Sequence, residues 1–193
     1  MKTLLKIAAI TTALAAASQA QAVSTYAGNG HKYAFVAANL SWQDALAAAA
    51  AATPIAGYNA YLVTITSAGE DSFVKALTGG ALYVWAAGTD APAEGTWTWA
   101  AGPEAGQTFY VLGGPVVGYS HWDAGEPNNA STENYLHLKA NAGDWNDIFS
   151  TFPSGGYVVE YSLAVPEPAD WALFVAGFGL IGAALRRNSR AIA

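Results

Sequence analysis

Residues 121–129 read HWDAGEPNN, and they are followed by Glu133-Asn134 and then by the tripeptide Trp145-Asn146-Asp147. These segments concentrate oxygen-bearing side chains in a chain of which only 11% is charged. Calcium is a hard cation that takes about six to eight oxygen ligands from carboxylates, amides and carbonyls, without sulfur or imidazole. The pattern therefore predicts a calcium site. The candidate ligands are Glu126, Asn128, Glu133, Asn146 and Asp147.

The order of these segments resembles that of the C-type lectin-like domains, in which an E-P-N and a W-N-D tripeptide hold one calcium ion that in turn binds a sugar. The resemblance extends over residues 31–161. Residues 97–99 (WTW), 41–45 (SWQDA) and 156–161 (GYVVEY) resemble the W-x-W strand, the start of the first helix and the closing strand of the family. One tripeptide recurs by chance, whereas several in the right order are specific. The resemblance implies an α+β domain, with two helices flanking short antiparallel sheets and a long calcium-binding loop.

The resemblance also implies roles for the candidate ligands. Glu126 and Asn128 would each give one oxygen to calcium and hydrogen-bond one sugar hydroxyl, and the downstream ligands Glu133, Asn146 and Asp147 would do the same. A carboxylate only accepts hydrogen bonds whereas an amide also donates them, so this pair determines which hydroxyl donates. In the family, E-P-N accompanies equatorial 3- and 4-hydroxyls, as in mannose, glucose and N-acetylglucosamine. The bond before Pro127 is expected to be cis.

Several assignments have alternatives. Asp123 or Asn134 could replace Glu133 after a small shift of the loop, and each ligand taken singly could be a solvated or turn residue. Trp122 and Trp145 are predicted to anchor the loop in the core rather than to stack on sugar. We expect one calcium ion, because residues 102–118 contain Glu104 as their only acid.

The beginning of the chain indicates export. Residues 1–22 combine Lys2 and Lys6, an apolar run at 7–17 and the small-residue ending AQA, a layout typical of a secretory signal peptide. A domain at 23–161 and a linker at 162–168 are predicted to follow.

The other end resembles the P-E-P sorting signal of Gram-negative bacteria that make exopolysaccharide. Residues 165–168 read VPEP, and the tail at 169–193 contains an apolar run at 171–185 followed by three arginines. That run is shorter than the ~20 residues of a standard membrane-spanning helix. The resemblance implies transient anchoring in the inner membrane, cutting by a sorting transpeptidase near residues 166–168, and a final place outside the cell or on its outer surface. The alternative is a permanent single-span anchor.

Charge and composition exclude several classes of function. Residues 23–165 contain three lysines and no arginine against twelve acidic residues, a net charge near −9. Nucleic acid is therefore an unsuitable partner, because phosphate binding requires a basic surface. The three histidines lack the spacing of a zinc site. The chain has no cysteine, so it must fold by packing alone, unlike many secreted lectin domains of this type.

Local patterns predict two helices separated by short strands. The first helix is predicted to begin at Ser41, with Asp44 in the cap, and to end by residues 53–54; the second begins at a capping box of Ser67 and Glu70. Strands are predicted at 33–36, 61–65, 82–85, 96–99, 135–138 and 156–161. Residues 100–133 are predicted to form a long loop, and residues 145–147 a turn.

Three functions are consistent with these observations. The favoured one is a calcium-dependent lectin for exopolysaccharide in a biofilm. The second is a structural or protein-binding module on the same fold. The third is a glycosidase that uses Glu126 with Asp147 or Glu133, which we disfavour because these carboxylates are assigned to a metal; we expect no enzyme activity.

Overall fold

The computed structural model describes residues 22–130, 132–139 and 144–164. Most of the predicted signal peptide (1–21), the P-E-P motif and the sorting tail lie outside the described residues. Within the described ranges, no helix is both long and apolar enough to cross a membrane.

Two helices and nine strands follow one another along the described chain. The strands are β1 (Ser24–Thr25), β2 (Lys32–Val36), β3 (Tyr58–Leu62), β4 (Val84–Thr89), β5 (Thr96–Trp99), β6 (Thr108–Val111), β7 (Tyr135–Leu138), β8 (Trp145–Ile148) and β9 (Gly156–Leu163). The helices are α1 (Trp42–Ala50), between β2 and β3, and α2 (Ala68–Leu77), between β3 and β4.

The strands form one mixed sheet. Its main order is β1-β2-β9-β4-β5-β6, while β3 pairs with β9, β7 with β4, and β8 with β7. All pairings are antiparallel except that of β4 with β9. The predicted α+β class with two helices is confirmed. β9 extends to Leu163, two residues beyond the predicted end of the domain, because Leu163 pairs with Tyr58.

Both helix caps form as predicted, with one difference. Ser41 accepts a hydrogen bond from the N–H of Asp44 at 3.2 Å and donates its hydroxyl to the Asp44 carboxylate at 2.6 Å. Ser67 caps α2 in the same way through the N–H of Glu70. The Glu70 side chain does not complete the capping box. It is buried and accepts instead from the N–H of Thr66, at 2.8 Å, and from the hydroxyl of Tyr33, at 2.5 Å.

Two predictions about the second half of the domain are wrong. Residues 100–133 are not one uninterrupted loop, because they contain β6, which pairs with β5. Residues 145–147 are not a turn, because they belong to β8 and pair with β7. Asn and Asp disfavour strands locally, and backbone hydrogen bonds to β7 and to residues 121–123 stabilise the extended conformation here. Strand β3 begins at Tyr58, three residues before its predicted start at residue 61. Strand β4 begins at Val84, two residues after its predicted start at residue 82.

Aromatic side chains fill the core beneath the long loop. Trp145 is fully buried, and its ring lies 5.7 to 6.1 Å, between centroids, from four other aromatic rings. These rings belong to Trp99, Phe109, Tyr119 and Trp122. Such edge-to-face contacts add to the free energy gained by burial. The prediction that Trp122 and Trp145 are core anchors is confirmed.

One histidine is buried among aromatic rings on β7. His137 is 2% exposed, stacks on Tyr83 with ring centroids 5.2 Å apart, and packs edge-on against Phe152. Neither ring nitrogen has a hydrogen-bond partner among the described residues. Burial, helped by the charge of Lys139, lowers the pKa of His137 to about 3. The folded protein therefore holds this ring neutral.

His137 should make the protein acid-sensitive. Its pKa is lower in the folded than in the unfolded state, so its contribution to stability is present above the unfolded value of 6.5 and is lost as the pH falls below it. We expect the free energy of unfolding to fall by about 1 kcal/mol more in the wild type than in His137→Phe when the pH falls from about 6.5 to about 5.5. Urea unfolding in chelator at both pH values measures this difference, and equal losses in the two proteins would contradict it.

Candidate functional site

The segment that precedes the E-P-N tripeptide is held along β8. The N–H of Trp145 donates to the carbonyl oxygen of His121 at 2.7 Å, and the N–H of Asp123 donates to the carbonyl oxygen of Trp145 at 2.9 Å. Trp122 and Trp145 thereby form an isolated parallel bridge. The loop enters the site from a fixed position beside the strand that carries Asn146 and Asp147.

The two tripeptides meet at the carboxylate of Asp147. This side chain is fully buried and accepts the N–H of Asn128 at 3.1 Å and that of Asn129 at 2.8 Å. The N–H of Asn128 is also 3.0 Å from Oε2 of Glu126. The bond between Glu126 and Pro127 is cis, as predicted. Residues separated by about twenty positions in sequence are thus brought into one hydrogen-bonded group.

Glu133 joins the same group, whereas Asn146 lies to one side of it. The N–H of Ala130 donates to Oδ1 of Asn128 at 2.9 Å and to Oε2 of Glu133 at 3.2 Å. Asn146 is opposite His137 in the strand register, and successive side chains of a strand point to opposite faces. Its amide nitrogen donates to the carbonyl oxygen of Asp147. Four of the five candidate ligands are therefore linked through shared backbone N–H donors, whereas the Asn146 amide contacts the backbone carbonyl oxygen of Asp147.

Like charges crowd this group. Burial raises the pKa of Glu126, and the neighbouring carboxylate of Asp147 raises it further, against the opposing effects of Lys139 and the N–H of Asn128. Burial and the charge of Asp147 also raise the pKa of Glu133. Carboxylates that repel one another are stabilised by a cation placed between them. The electrostatics of the site therefore favour binding of a positive ion.

Asp123 is engaged elsewhere. Nζ of Lys139 lies 2.8 Å from its carboxylate, and this hydrogen bond lowers the pKa of Asp123. The same ammonium group is 3.8 Å from Oε1 of Glu126. Asp123 is thus paired with a lysine, which disfavours the alternative in which it replaces Glu133.

A second set of oxygens lies next to the predicted ligands, and sequence reasoning missed most of it. Three Oδ1 atoms, those of Asp90, Asn129 and Asn134, are buried without a hydrogen-bond partner among the described residues. Asp90 reaches this place because its N–H donates to the carbonyl oxygen of Asn134, at 3.3 Å. Buried polar atoms are rarely left unpaired in proteins, so these oxygens indicate a place for a ligand.

Neighbouring acids repel the carboxylate of Asp90, the one acid of this second set. Burial raises the pKa of Asp90 to about 6; the N–H of Gly95 opposes this rise, and Glu94 and Asp147 add to it. Asp90 and Glu94 are four residues apart in TDAPAEG, directly before the W-x-W strand. This spacing of two acids is the sequence feature from which Asp90 could have been identified as a further candidate ligand. Nothing local shows that the end of β4 lies beside Asn134, since that contact joins segments more than 40 residues apart.

Acidic side chains alone do not complete a metal site. In the part of the chain that the structure describes, no group of three or more His, Asp or Glu side chains is arranged to hold a metal ion. A cation bound here would need amide oxygens as well, and Asn128, Asn129 and Asn134 provide them. This mixture of carboxylates and amides is the donor chemistry of calcium.

The fold is that of a lectin-type domain. The family model described as "Lectin C-type domain" matches residues 38–155, and the chain belongs to this family.

Comparison with known proteins extends this assignment. Halomucin of Haloquadratum walsbyi is 33% identical over 135 residues, which are 69% of this chain and 1% of halomucin. The perlucin-like protein of Mytilus galloprovincialis is 31% identical over 103 residues, which are 51% of this chain and 59% of that protein. The chain thus spans a very small part of halomucin and about three fifths of the perlucin-like protein.

Solved structures share the fold. The carbohydrate-recognition domain of the mouse scavenger receptor C-type lectin is 26% identical, with a TM-score of 0.56 over 75% of this chain and 97% of that domain. The corresponding domain of cow CD23, solved in the presence of a GlcNAc2Man3 oligosaccharide, is 27% identical, with a TM-score of 0.52 over 70% of this chain and 90% of that one. The mouse domain is named as the carbohydrate-recognition domain of a C-type lectin, which is consistent with a protein that binds carbohydrate without catalysis.

The crowding of carboxylates should cost stability when no cation is present. The pKa of Glu126 is raised in the folded state, so its ionised form at neutral pH is less favourable in the folded than in the unfolded protein. We expect Glu126→Gln to raise the midpoint of thermal unfolding in chelator, and Asp44→Asn, at the exposed cap of α1, to leave it unchanged or lower it. Thermal denaturation followed by circular dichroism measures both, and a lower midpoint for Glu126→Gln would refute the repulsion.

Proposed function

We propose that this protein is an exported, calcium-dependent carbohydrate-binding protein for mannose- or glucose-type sugars with equatorial 3- and 4-hydroxyls. The observation that carries the proposal is the convergence of Glu126, Asn128 and Glu133 on the buried carboxylate of Asp147. Convergence of carboxylate and amide side chains from two distant segments, held against mutual repulsion, is the arrangement that a calcium ion would stabilise.

The chemistry of the donors present, carboxylate and amide oxygens, fits such an ion. The ligands would be Glu126, Asn128, Glu133 and Asp147, with Asn146 as the predicted fifth. Bound calcium would supply two coordination positions for a pair of adjacent sugar hydroxyls. The unpartnered oxygens of Asp90, Asn129 and Asn134 extend the donor set, so the proposal includes a second cation position beyond the single ion expected from sequence.

The chain's own side chains would select the sugar. Glu126 can only accept a hydroxyl proton, whereas the amide of Asn128 can donate one. Asn128 is exposed and Glu126 is partly buried, so both can contact a sugar at the surface while the buried Asp147 positions their loop. Such a site engages few hydroxyls, and strong retention on a polymer would come from many simultaneous contacts.

The biological setting rests on the ends of the chain and on the relatives. The signal-peptide pattern at 1–22, the P-E-P motif at 166–168 and the tail at 169–193 support export, transient inner-membrane anchoring and processing by a sorting transpeptidase. The match to halomucin supports an extracellular role, and the CD23 domain solved in the presence of an oligosaccharide supports a glycan partner. An exopolysaccharide or biofilm matrix is the partner that combines these indications.

One observation favours a second candidate, a non-catalytic protein-binding module on the same fold. The segment after β6 presents three exposed apolar side chains, Leu112, Val116 and Val117, and Val116 is 96% exposed. Exposed apolar groups of this kind are a common feature of protein-binding surfaces. A glycosidase is disfavoured because Asp147 is fully buried and its carboxylate accepts the N–H groups of Asn128 and Asn129, whereas a catalytic carboxylate must face the scissile bond.

Retention on a mannose resin tests the main proposal. We expect purified residues 23–164 to be retained with calcium and released by chelator. The double variant Glu126→Gln/Asn128→Asp keeps the net charge but exchanges acceptor and donor, so it should still bind calcium and lose retention. Asp44→Asn, at the exposed cap of α1, should behave as wild type. Flow-through of the wild type together with measurable calcium binding would favour the protein-binding module.

Acid should release the bound sugar. Calcium requires ionised carboxylates, and the pKa values of Glu126 and Glu133 are raised. Protonation therefore begins above the ordinary value of about 4.3, and binding is present above this range and lost as the pH falls through it. Elution from the resin with a descending pH gradient measures the midpoint. Full retention at about pH 4 would be incompatible with these carboxylates as ligands.

A further inference from the structure

Asp71 on α2 lies outside the proposed ligand set, yet its buried carboxylate is connected to that set. The residue is 2% exposed. Its Oδ1 accepts the indole N–H of Trp145 at 2.9 Å. Its Oδ2 is 2.5 Å from Nζ of Lys75, 2.7 Å from Nδ1 of His121 and 3.3 Å from the hydroxyl of Tyr119. One carboxylate thus contacts four side chains.

Three of these four partners belong to the two segments that form the site. Tyr119 and His121 lie on the chain that leads into the E-P-N loop, and Trp145 directly precedes Asn146 and Asp147. The backbone of Trp145 also binds residues 121 and 123. The fourth partner, Lys75, is on α2 itself. Asp71 therefore connects helix α2 to both segments of the site, residues 119–123 and the start of β8, where these two segments are hydrogen-bonded to each other.

Removing this carboxylate would leave a buried donor unpaired. A buried charge is tolerated when hydrogen bonds compensate for the loss of solvation, and the contacts to Asp71 do so at both oxygens. The indole N–H of Trp145, whose side chain is fully buried, would have no other acceptor among the contacts that the structure shows. An orphaned buried donor destabilises the folded state, because it has lost its hydrogen bonds to water without gaining a new one. The chain also has no disulfide that could hold the loop instead.

We propose that Asp71 is a positioning residue for the carbohydrate-binding site. It touches neither cation nor sugar, and it holds residues 119–123 against Trp145 so that Glu126, Asn128 and Asp147 meet. The effect on binding rests on the proposed function. The effect on the conformation of the loop is independent of the proposed function, because the contacts of Asp71 are present without any ligand.

A neighbouring residue provides a matched control. Glu70 precedes Asp71 on the same helix and is as deeply buried, at 1% exposed. Its carboxylate contacts Thr66, Tyr33 and Asn29, none of which belongs to the loop. Asp71→Asn and Glu70→Gln therefore make the same chemical change at the same depth, and they differ in the segment to which the side chain is bound.

Amide hydrogen exchange in chelator tests the positioning directly. We expect Asp71→Asn to accelerate exchange at the amides of Asp123, Asn128, Asn129 and Trp145 by about tenfold or more, the factor that corresponds to one lost hydrogen bond to a charged group. Glu70→Gln should leave these amides within about threefold of wild type. Unchanged exchange in a folded Asp71→Asn protein, or equal acceleration in both variants, would overturn the proposal.

Calcium titration by calorimetry then tests the consequence for binding. Asp71→Asn should weaken calcium binding by about tenfold or more, while Glu70→Gln should change it by less than about threefold. If the wild type binds no calcium but Asp71→Asn still accelerates exchange, the proposed function fails and the positioning role stands. Wild-type calcium affinity in Asp71→Asn would show that Asp71 does not set the geometry of the site.

A second variant covers the case in which Asp71→Asn does not fold. His121 has 48% of its side chain exposed, so His121→Gln removes one partner of Asp71 with little effect on the core. Exchange at the same amides should accelerate by about threefold to tenfold. No acceleration in His121→Gln would overturn the proposal.

Discussion

The pair of backbone hydrogen bonds between Trp145 and the chain at residues 121–123 is the contact on which the rest of the site depends. It places the E-P-N loop next to β8, although the two segments are separated by β7 and by the residues before it. The indole ring of Trp145 is fixed at the same time by aromatic neighbours and by Asp71. The backbone and the side chain of Trp145 thus connect the E-P-N loop, strand β8 and helix α2.

The domain stabilises its irregular half with polar contacts, since it has no cysteine for disulfides. Asp71 performs this task for the loop. A second buried network stabilises the part of the domain around β9. There, Glu160 accepts a hydrogen bond from the N–H of Thr64 and lies 2.6 Å from Nδ1 of His31. Burial raises the pKa of Glu160, although His31 acts in the opposite direction. Each buried carboxylate is bound by several donors, as its loss of solvation requires.

Local patterns predicted much of the fold. Ser41 and Ser67 cap helices because a hydroxyl that accepts a free N–H is a local interaction, and β5 and β7 lie where aromatic and apolar residues alternate with polar ones. β6 and β8 were missed because their extended conformations come from pairing with β5 and β7. Glu70 was misassigned because its attraction to Tyr33, 37 positions away, outweighs the local cap.

The sequence by itself determined the class of domain and the chemistry of its loop, because side-chain type and short-range order are enough to define carboxylate and amide donors around Glu126 and Asn128. Tertiary structure alone decided which donors meet. The pairing of β7 with β8 brings Asp147 under the loop, and the contact between the end of β4 and Asn134 adds Asp90. The physical reason is that these encounters depend on strand register and buried hydrogen bonds between distant segments, which no local pattern records.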